Sequence, residues 1–116
     1  MPAVPTETRA RRGAELEHQD LLSGFVRLHI LHHASKEAVY GQWMIEELAR
    51  HGYRLSAGTL YPMLHAMERR GYLTSTLQPL GRTRRRIYRA TMLGRSALQA
   101  AQARIGELFR EVVETP

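Results

Sequence analysis

The sequence lacks cysteine, contains one lysine and has no long apolar run. Without cysteine, the chain has no disulfides, thiolate metal sites or cysteine nucleophiles. No stretch approaches the ~20 apolar residues of a membrane-spanning helix, and the N-terminus lacks the apolar core of a signal peptide. We therefore expect a cytoplasmic protein. Its 116 residues suffice for one domain that buries about 65% of the surface exposed by the unfolded chain, without covalent cross-links.

The patterns of common catalytic sites are absent as well. No Ser-His-Asp arrangement, glycine-rich phosphate loop or pair of carboxylates converges in the sequence. We therefore expect neither an enzyme nor a bound cofactor. His29, His32 and His33 have a spacing at which two imidazoles can share a helix face, but the sequence identifies no third ligand for a metal. Solvated or core-edge histidines are the favoured interpretation, and no metal site is predicted.

Positive charge is concentrated in the middle of the chain, and sixteen of the seventeen basic residues are arginine. Residues 50–95 hold ten basic residues and one acid, Glu68, a net charge of +9. The rest of the chain has seven basic and ten acidic residues, a net charge of −3. This asymmetry indicates a polyanionic partner, either nucleic acid or an anionic membrane surface. We favour nucleic acid and expect no membrane partner.

Residues 55–71 have the pattern of an amphipathic helix, with Ser56 as N-cap and Gly71 as the stop. Its apolar stripe is formed by Leu60, Met63, Leu64 and Met67. The opposite face is small at its N-terminal end and cationic further along, which suits either an ordinary core helix or a recognition helix in a DNA major groove. Tyr61 is expected on the flank of that face, off the core stripe. The candidate DNA contacts are Ser56, Ala57, Gly58, Thr59, Tyr61, Pro62, His65 and Arg69.

Two apolar helices are predicted before the central one. Residues 20–34 are apolar on more than one face, so a second subunit is expected to cover part of this helix. Residues 41–50 form the next helix. Trp43, the only tryptophan, lies on the side of this helix that faces away from its apolar stripe. Three interpretations of Trp43 remain: packing under the N-terminal residues or a neighbouring subunit, contact with the DNA backbone, or contact with a ligand. Residues 1–14 have no apolar periodicity and are expected to form a flexible basic arm.

A β-hairpin is predicted after the central helix, with strands at residues 72–77 and 86–90. Pro79 and Gly81, residue types that are common in turns, lie between the two strands. Four arginines lie within five residues, at the tip of the hairpin and along its return strand. This density, close behind a candidate recognition helix, favours contact with phosphates or the minor groove. The candidate wing contacts are Arg82, Arg84, Arg85 and Arg86.

Thr91 can cap a last helix that runs to about residue 114. Its apolar residues alternate at three- and four-residue intervals, the spacing of a coiled-coil seam. At 1.5 Å per residue the helix is about 35 Å long, more than so small a core covers, so a dimer contact is favoured over docking on its own domain. Together with the first helix, the predicted dimer interface comprises Leu21, Leu22, Phe25, Leu98, Ala101, Ile105, Leu108, Phe109 and Val112.

Several short motifs follow one another in a continuous register over residues 20–114. They are Ile30-Leu31, Tyr40-Gly41, the run of residues 55–64, residues 67–71 and residues 86–95. The most specific combination is Gly58-Thr59-Leu60-Tyr61-Pro62 followed by the strand exit Tyr88-Arg89-Ala90-Thr91 and Gly94-Arg95. In these motifs the chain resembles the PadR-type transcriptional regulators, which have a winged helix-turn-helix fold.

The resemblance implies a mainly α fold with a small two-stranded wing. Residues 15–90 would form the DNA-binding domain and residues 91–116 a dimerisation helix. It also implies a homodimer that binds palindromic double-stranded operator DNA, usually as a repressor, with a cavity near the dimer interface for an aromatic or drug-like inducer. Trp43 is the candidate ligand contact. The rival hypothesis is a basic winged-helix module that binds RNA or protein without a regulatory ligand.

Overall fold

The computed structural model describes residues 17–116 as helices around a small antiparallel sheet. The elements are α1 (Gln19–Lys36), β1 (Val39–Tyr40), α2 (Gly41–Arg50), α3 (Ala57–Arg69), β2 (Leu73–Leu80), β3 (Thr83–Ala90) and α4 (Met92–Phe109). The last five helical residues, Arg110–Glu114, are wound as a π-helix. The basic arm predicted for residues 1–14 lies outside the described residues. No helix within residues 17–116 is long and apolar enough to cross a bilayer.

The hydrophobic core lies where α1, α2 and α3 meet the inner face of the sheet. The predicted stripe of α3 is confirmed, since all four of its members are buried. α1 contributes four buried residues from one face, and α2 contributes the inner side of its first and last turns. The core residues from these helices are Val26, Ile30, Leu31, Ala34, Met44, Leu48, Leu60, Met63, Leu64 and Met67.

The ends of the helices follow the local signals in the sequence. Ser56 has extended backbone angles at the N-cap of α3. Gly71 adopts φ +87°, a left-handed conformation that favours glycine, and ends the same helix. Thr91 caps α4 with its side chain, since the Gly94 N–H donates to Thr91 Oγ1 at 3.0 Å. The helix boundaries predicted at these residues are therefore confirmed.

The sheet has three strands in the order β1-β3-β2, whereas only two were predicted. Val39 pairs with Tyr88 and Tyr40 with Ile87, so the two residues before α2 extend the sheet beyond β3. β2 and β3 also pair further than expected, down to Leu80 opposite Thr83. Pro79 is tolerated in β2 because an edge strand has one side free of ladder hydrogen bonds. The wing is therefore a long hairpin whose base is braced by a third short strand.

Within residues 17–116, α4 is fixed to the domain mainly through its N-terminal part. Gly94 is buried against the Tyr72 carbonyl and Leu31, so an added Cβ would collide with that carbonyl. The Arg95 guanidinium donates to the Ser35 carbonyl at 2.8 Å, joining α4 to the end of α1. Leu98 packs against the core, but the helix beyond it carries apolar side chains that are largely exposed. α4 therefore extends away from the core with an apolar stripe uncovered by the described residues.

Candidate nucleic-acid interface

The outer face of α3 carries most of the side chains expected to contact DNA. Thr59 and Tyr61 are half-buried, and the other six predicted residues are exposed: Ser56, Ala57, Gly58, Pro62, His65 and Arg69. Apart from Arg69 these side chains are small or uncharged, and no acidic residue lies in the first turn. The helix therefore offers a face that a polyanion can approach without charge repulsion.

The N-terminus of α3 is not closed by its own cap. The Ser56 side chain makes no hydrogen bond to a backbone amide of the helix, and its hydroxyl instead donates to Thr59 Oγ1 at 3.3 Å. The Ser56 carbonyl accepts from the backbone of Thr59 and Leu60 at 3.1 and 2.9 Å. The first amides of a helix have no intrahelical acceptor and lie at the positive end of the helix dipole. Such an end suits a phosphate oxygen.

Gly58 has no structural need to be glycine. An added Cβ would meet only Ser56 Oγ, at 3.7 Å, an ordinary contact distance. Glycine within a helix costs about 1 kcal/mol relative to alanine. The missing side chain therefore does not stabilise the fold. It leaves room for a ligand to approach the helix backbone from outside.

Tyr61 is more deeply placed than the sequence indicated. Its ring packs against the core cluster and covers Gly41, where an added Cβ would collide with the Tyr61 ring and hydroxyl. Tyr61 lies off the core stripe, as expected, but its packing against the core through α2 was not predicted. A helical wheel for α3 does not show this packing because it ignores α2, which approaches closely at Gly41. Tyr61 holds α2 against α3 and leaves part of its side chain at the surface.

The wing arginines fall into two groups. Arg82, in the turn, and Arg84, on β3, are exposed and form no hydrogen bond or ion pair within residues 17–116. Arg85 instead lies over the Tyr40 ring, with its guanidinium carbon 3.5 Å from the ring centroid. The Tyr40 hydroxyl donates to Gln78 Oε1 at 2.7 Å, which fixes that ring. Arg82 and Arg84 are thus available to a partner, and Arg85 is held in place beside them.

Arg86 belongs to a chain of hydrogen bonds between the wing and α3. Its guanidinium donates to Ser75 Oγ at 3.0 Å, and Ser75 faces both carboxylate oxygens of Glu68 at 2.9 Å. Glu68 is the only acid among residues 50–95 and is half-buried. The single negative charge of the basic segment is therefore engaged by Ser75 in the joint between the wing and α3. This role was not predicted from the sequence, because Ser75 carries no distinctive pattern.

The predicted dimer residues form an open apolar surface on α1 and α4. Leu22, Phe25, Leu98 and Ala101 are half-buried, whereas Ile105, Leu108, Phe109 and Val112 are 40–58% exposed and Leu21 is 75% exposed. Between the two helices lies a groove of about 280 Å³. It is lined by Phe25, Leu28, His29, His32, Leu98, Gln102 and Ile105.

Trp43 lies outside this groove. It is 39% exposed, and its ring meets the His33 ring edge-on at 5.3 Å between centroids. Burial lowers the pKa of His33, and it also lowers the pKa of His29, with a further contribution from the nearby His51 imidazole. Trp43 therefore flanks a group of histidines between α1 and α2, a grouping that the sequence did not reveal.

Comparison with known proteins agrees with this arrangement. The family model described as the transcriptional regulator PadR-like family matches residues 30–100. The chain is 52% identical over 88 residues to transcriptional regulator Rv3488 of Mycobacterium tuberculosis, an alignment that covers 76% of this chain and 82% of that one.

Solved structures give the same answer. A PadR family regulator from Eggerthella lenta superposes with a TM-score of 0.73 at 30% identity, covering 82% of this chain and 84% of that one. A PadR-like regulator from Bacillus cereus superposes with a TM-score of 0.72 at 28% identity, covering 80% and 92%. The chain therefore belongs to the PadR-like family of transcriptional regulators.

Proposed function

We propose that the protein is a homodimeric repressor that binds a palindromic operator in double-stranded DNA. α3 would enter the major groove, and the wing would lie on the adjacent backbone or minor groove. The observation that carries this proposal is the open N-terminus of α3. Its outer face is small and free of acidic side chains, and Ser56 does not cap its amides. The +9 charge of residues 50–95 supplies the attraction to phosphates.

The contacts are proposed to divide between two tasks. Backbone amides near Ala57 and Gly58, together with Arg82 and Arg84, would bind phosphates and set the register of the protein on the duplex. His65 and Arg69 lie further along α3 and would face base edges, where an arginine can bond guanine O6 and N7 together. Each correct bidentate contact of this kind discriminates by about 1–3 kcal/mol against a wrong base.

Dimerisation is proposed through α4 and the adjoining face of α1. The exposed stripe of α4 has the spacing of a coiled-coil seam, and exposed leucine, isoleucine, phenylalanine and valine side chains are favourable to bury. A two-fold dimer places two copies of α3 on one side of a duplex. The operator should then consist of two half-sites about one helical turn, ~34–36 Å, apart.

Release by a small molecule is the third part of the proposal. The groove between α1 and α4 is mostly apolar, with His29, His32 and Gln102 as polar groups, a composition typical of small-molecule sites. A small aromatic or drug-like inducer in this groove would contact the same helices that form the proposed dimer. Trp43 does not line the groove, so it is not part of this proposed inducer site.

The proposal is tested by binding and footprinting on the DNA upstream of the protein's own gene, at several salt concentrations. We expect a footprint in two half-sites and specific retention that Gly58→Glu abolishes, since the carboxylate would face phosphate. A circular dichroism spectrum of the variant checks that it folds. Uniform, steeply salt-dependent binding to RNA and DNA alike, without a footprint, would overturn the proposal and favour a basic interaction module.

A further inference from the structure

Three imidazoles meet at the junction of α1 and α2, outside the DNA-facing surface. His29 and His33 lie one turn apart on α1, and His51 is the residue that follows α2. Ligating nitrogens of these three side chains all lie within 4.8 Å of one another. Through His51, the fold therefore supplies the third ligand that the spacing of His29, His32 and His33 did not identify.

A carboxylate completes the group. Glu47 lies one turn before His51 on α2, and its side chain is only 11% exposed. Its Oε2 atom is 2.9 Å from His51 Nε2 and 3.6 Å from His33 Nε2, while Oε1 is 3.4 Å from Arg50 Nη1. Three nitrogens and one oxygen from two helices thus converge on a small volume.

We propose that His29, His33, His51 and Glu47 bind a divalent transition-metal cation of the zinc class. Imidazole nitrogen with one carboxylate oxygen is a ligand set preferred by Zn²⁺ and its neighbours, whereas Mg²⁺ and Ca²⁺ prefer oxygen alone. Zinc–nitrogen bonds of about 2.0–2.1 Å place tetrahedral nitrogens roughly 3.4 Å apart. Side-chain rotations that shift the imidazole nitrogens by about 1 Å would bring a separation of 4.8 Å into this range.

The position of this site gives it a structural consequence. His29 and His33 belong to α1, which lines the groove against α4. Glu47 belongs to α2, which packs on α3 through Gly41, and His51 directly follows α2. A bound metal would therefore cross-link α1 to α2, in addition to their hydrophobic contacts. The inference does not depend on operator binding, because none of the four residues belongs to α3 and metal binding can be measured without DNA.

Calorimetric titration of the metal-free full-length protein with Zn²⁺ tests the proposal. We expect one strong site per chain, a higher melting temperature with Zn²⁺, and no comparable binding of Mg²⁺. Titration with Co²⁺ should give the visible absorption of a four-coordinate nitrogen and oxygen site. His51→Ala and His33→Ala each remove a ligating histidine and should weaken Zn²⁺ binding by at least about tenfold. Loss of a group that only supports a metal ligand already weakens binding by about 10–100-fold.

His32→Ala is the matched control. His32 lies on the same helix, with its ring 5.0 Å from that of His33, but it is not among the three converging histidines. This variant should bind Zn²⁺ with parental affinity. His51 is 47% exposed, so His51→Ala is expected to fold, and its circular dichroism spectrum checks this. The proposal is overturned if the parental protein binds Zn²⁺ no more tightly than Mg²⁺, or if His51→Ala and His32→Ala bind it equally well.

Discussion

Gly58 lies in the first turn of α3 with open space where a side chain would be. The nearest atom to an added Cβ is Ser56 Oγ at 3.7 Å, so Gly58→Ala should fold and gain up to about 1 kcal/mol in free energy of unfolding. The methyl group would nevertheless separate the helix backbone from a phosphate or base edge. We expect operator affinity to fall at least tenfold, measured by fluorescence anisotropy beside a thermal melt.

Gly24 provides the control for this substitution. It lies within α1 and also has open space around an added Cβ, with no atom within 4 Å. Gly24→Ala should therefore gain a similar free energy of unfolding and keep its operator binding. Equal operator affinity of Gly58→Ala and the parental protein would contradict close approach at this glycine.

Tyr88 is a buried tyrosine whose hydroxyl has no hydrogen-bond partner among residues 17–116. A buried hydroxyl without a partner is destabilising, so Tyr88→Phe should leave the free energy of unfolding unchanged or raise it by about 1 kcal/mol. Tyr40→Phe is the control, because it removes the 2.7 Å hydrogen bond to Gln78 and should lower that free energy by about 0.5–1.5 kcal/mol. Chemical denaturation measures both, and a large loss in Tyr88→Phe would contradict the burial argument.

The same tyrosine gives a pH prediction. Burial raises the pKa of Tyr88 above its ordinary value of 10.0, so the folded state retains the phenolic proton after the unfolded chain has begun to lose it. The contribution of this proton to the free energy of unfolding is present in full below pH 10. It is lost as the pH rises from 10 through the raised pKa of Tyr88. Denaturant melts between pH 9 and 11 should therefore show that the free energy of unfolding falls less steeply with pH in Tyr88→Phe than in the parental protein.

At the scale of elements, the wing separates the arginines that we propose to contact DNA from an arginine that holds the hairpin against α3. Arg82 and Arg84 have no partner within residues 17–116, whereas Arg86 bonds Ser75 in the chain to Glu68. Replacing Arg82 and Arg84 by alanine should leave phosphates of the DNA backbone without a cationic partner. The slope of log affinity against log salt should then flatten by about 0.9 for each phosphate that the protein no longer neutralises.

Arg86→Ala is the comparison for the wing. It should lower the melting temperature as well as DNA affinity, since the joint between β2, β3 and α3 loses a hydrogen bond. Salt-dependent binding to operator and non-operator DNA measures the slopes. An unchanged slope in the Arg82 and Arg84 double variant would remove the wing from the proposed interface.

The elements that could be predicted from the sequence are those fixed by local signals. Ser56 and Gly71 mark the ends of α3 through their backbone conformations, and Thr91 marks the start of α4 through its side chain, so these bounds followed directly. β1 could not be predicted, because two residues have no periodicity and form a strand only when β3 lies beside them. The contact of Tyr61 with Gly41 and the position of His51 beside His29 and His33 were missed for a related reason. These contacts are made with another helix, and a pattern within one helix does not contain them.

At the scale of the whole molecule, α4 and the π-helix that continues it carry a long stripe of exposed apolar side chains. The far half of α4 and this π-helix extend beyond the core, with Ile105, Leu108, Phe109 and Val112 40–58% exposed. Exposed apolar stripes of this kind mark contact surfaces, and the seam spacing fits a helix of a second copy. Aspartate at Ile105 and Leu108 would place two charges in that surface, where each must be desolvated for the subunits to associate. We expect this double variant to sediment as a monomer or to aggregate, and to lose operator binding, because one half-site alone binds weakly.

Met92→Asp is the control for added charge on α4. Met92 is 87% exposed in the first turn of the helix, away from the seam, and an acidic residue there is favourable to the helix dipole. This variant should remain a dimer and bind the operator with parental affinity. Sedimentation velocity at micromolar concentration compares the two variants with the parental protein. If the parental protein is monomeric there, or if the Ile105 and Leu108 double variant is as dimeric as Met92→Asp, then α4 is not the dimer contact. The apolar stripe of α4 would then require a different partner.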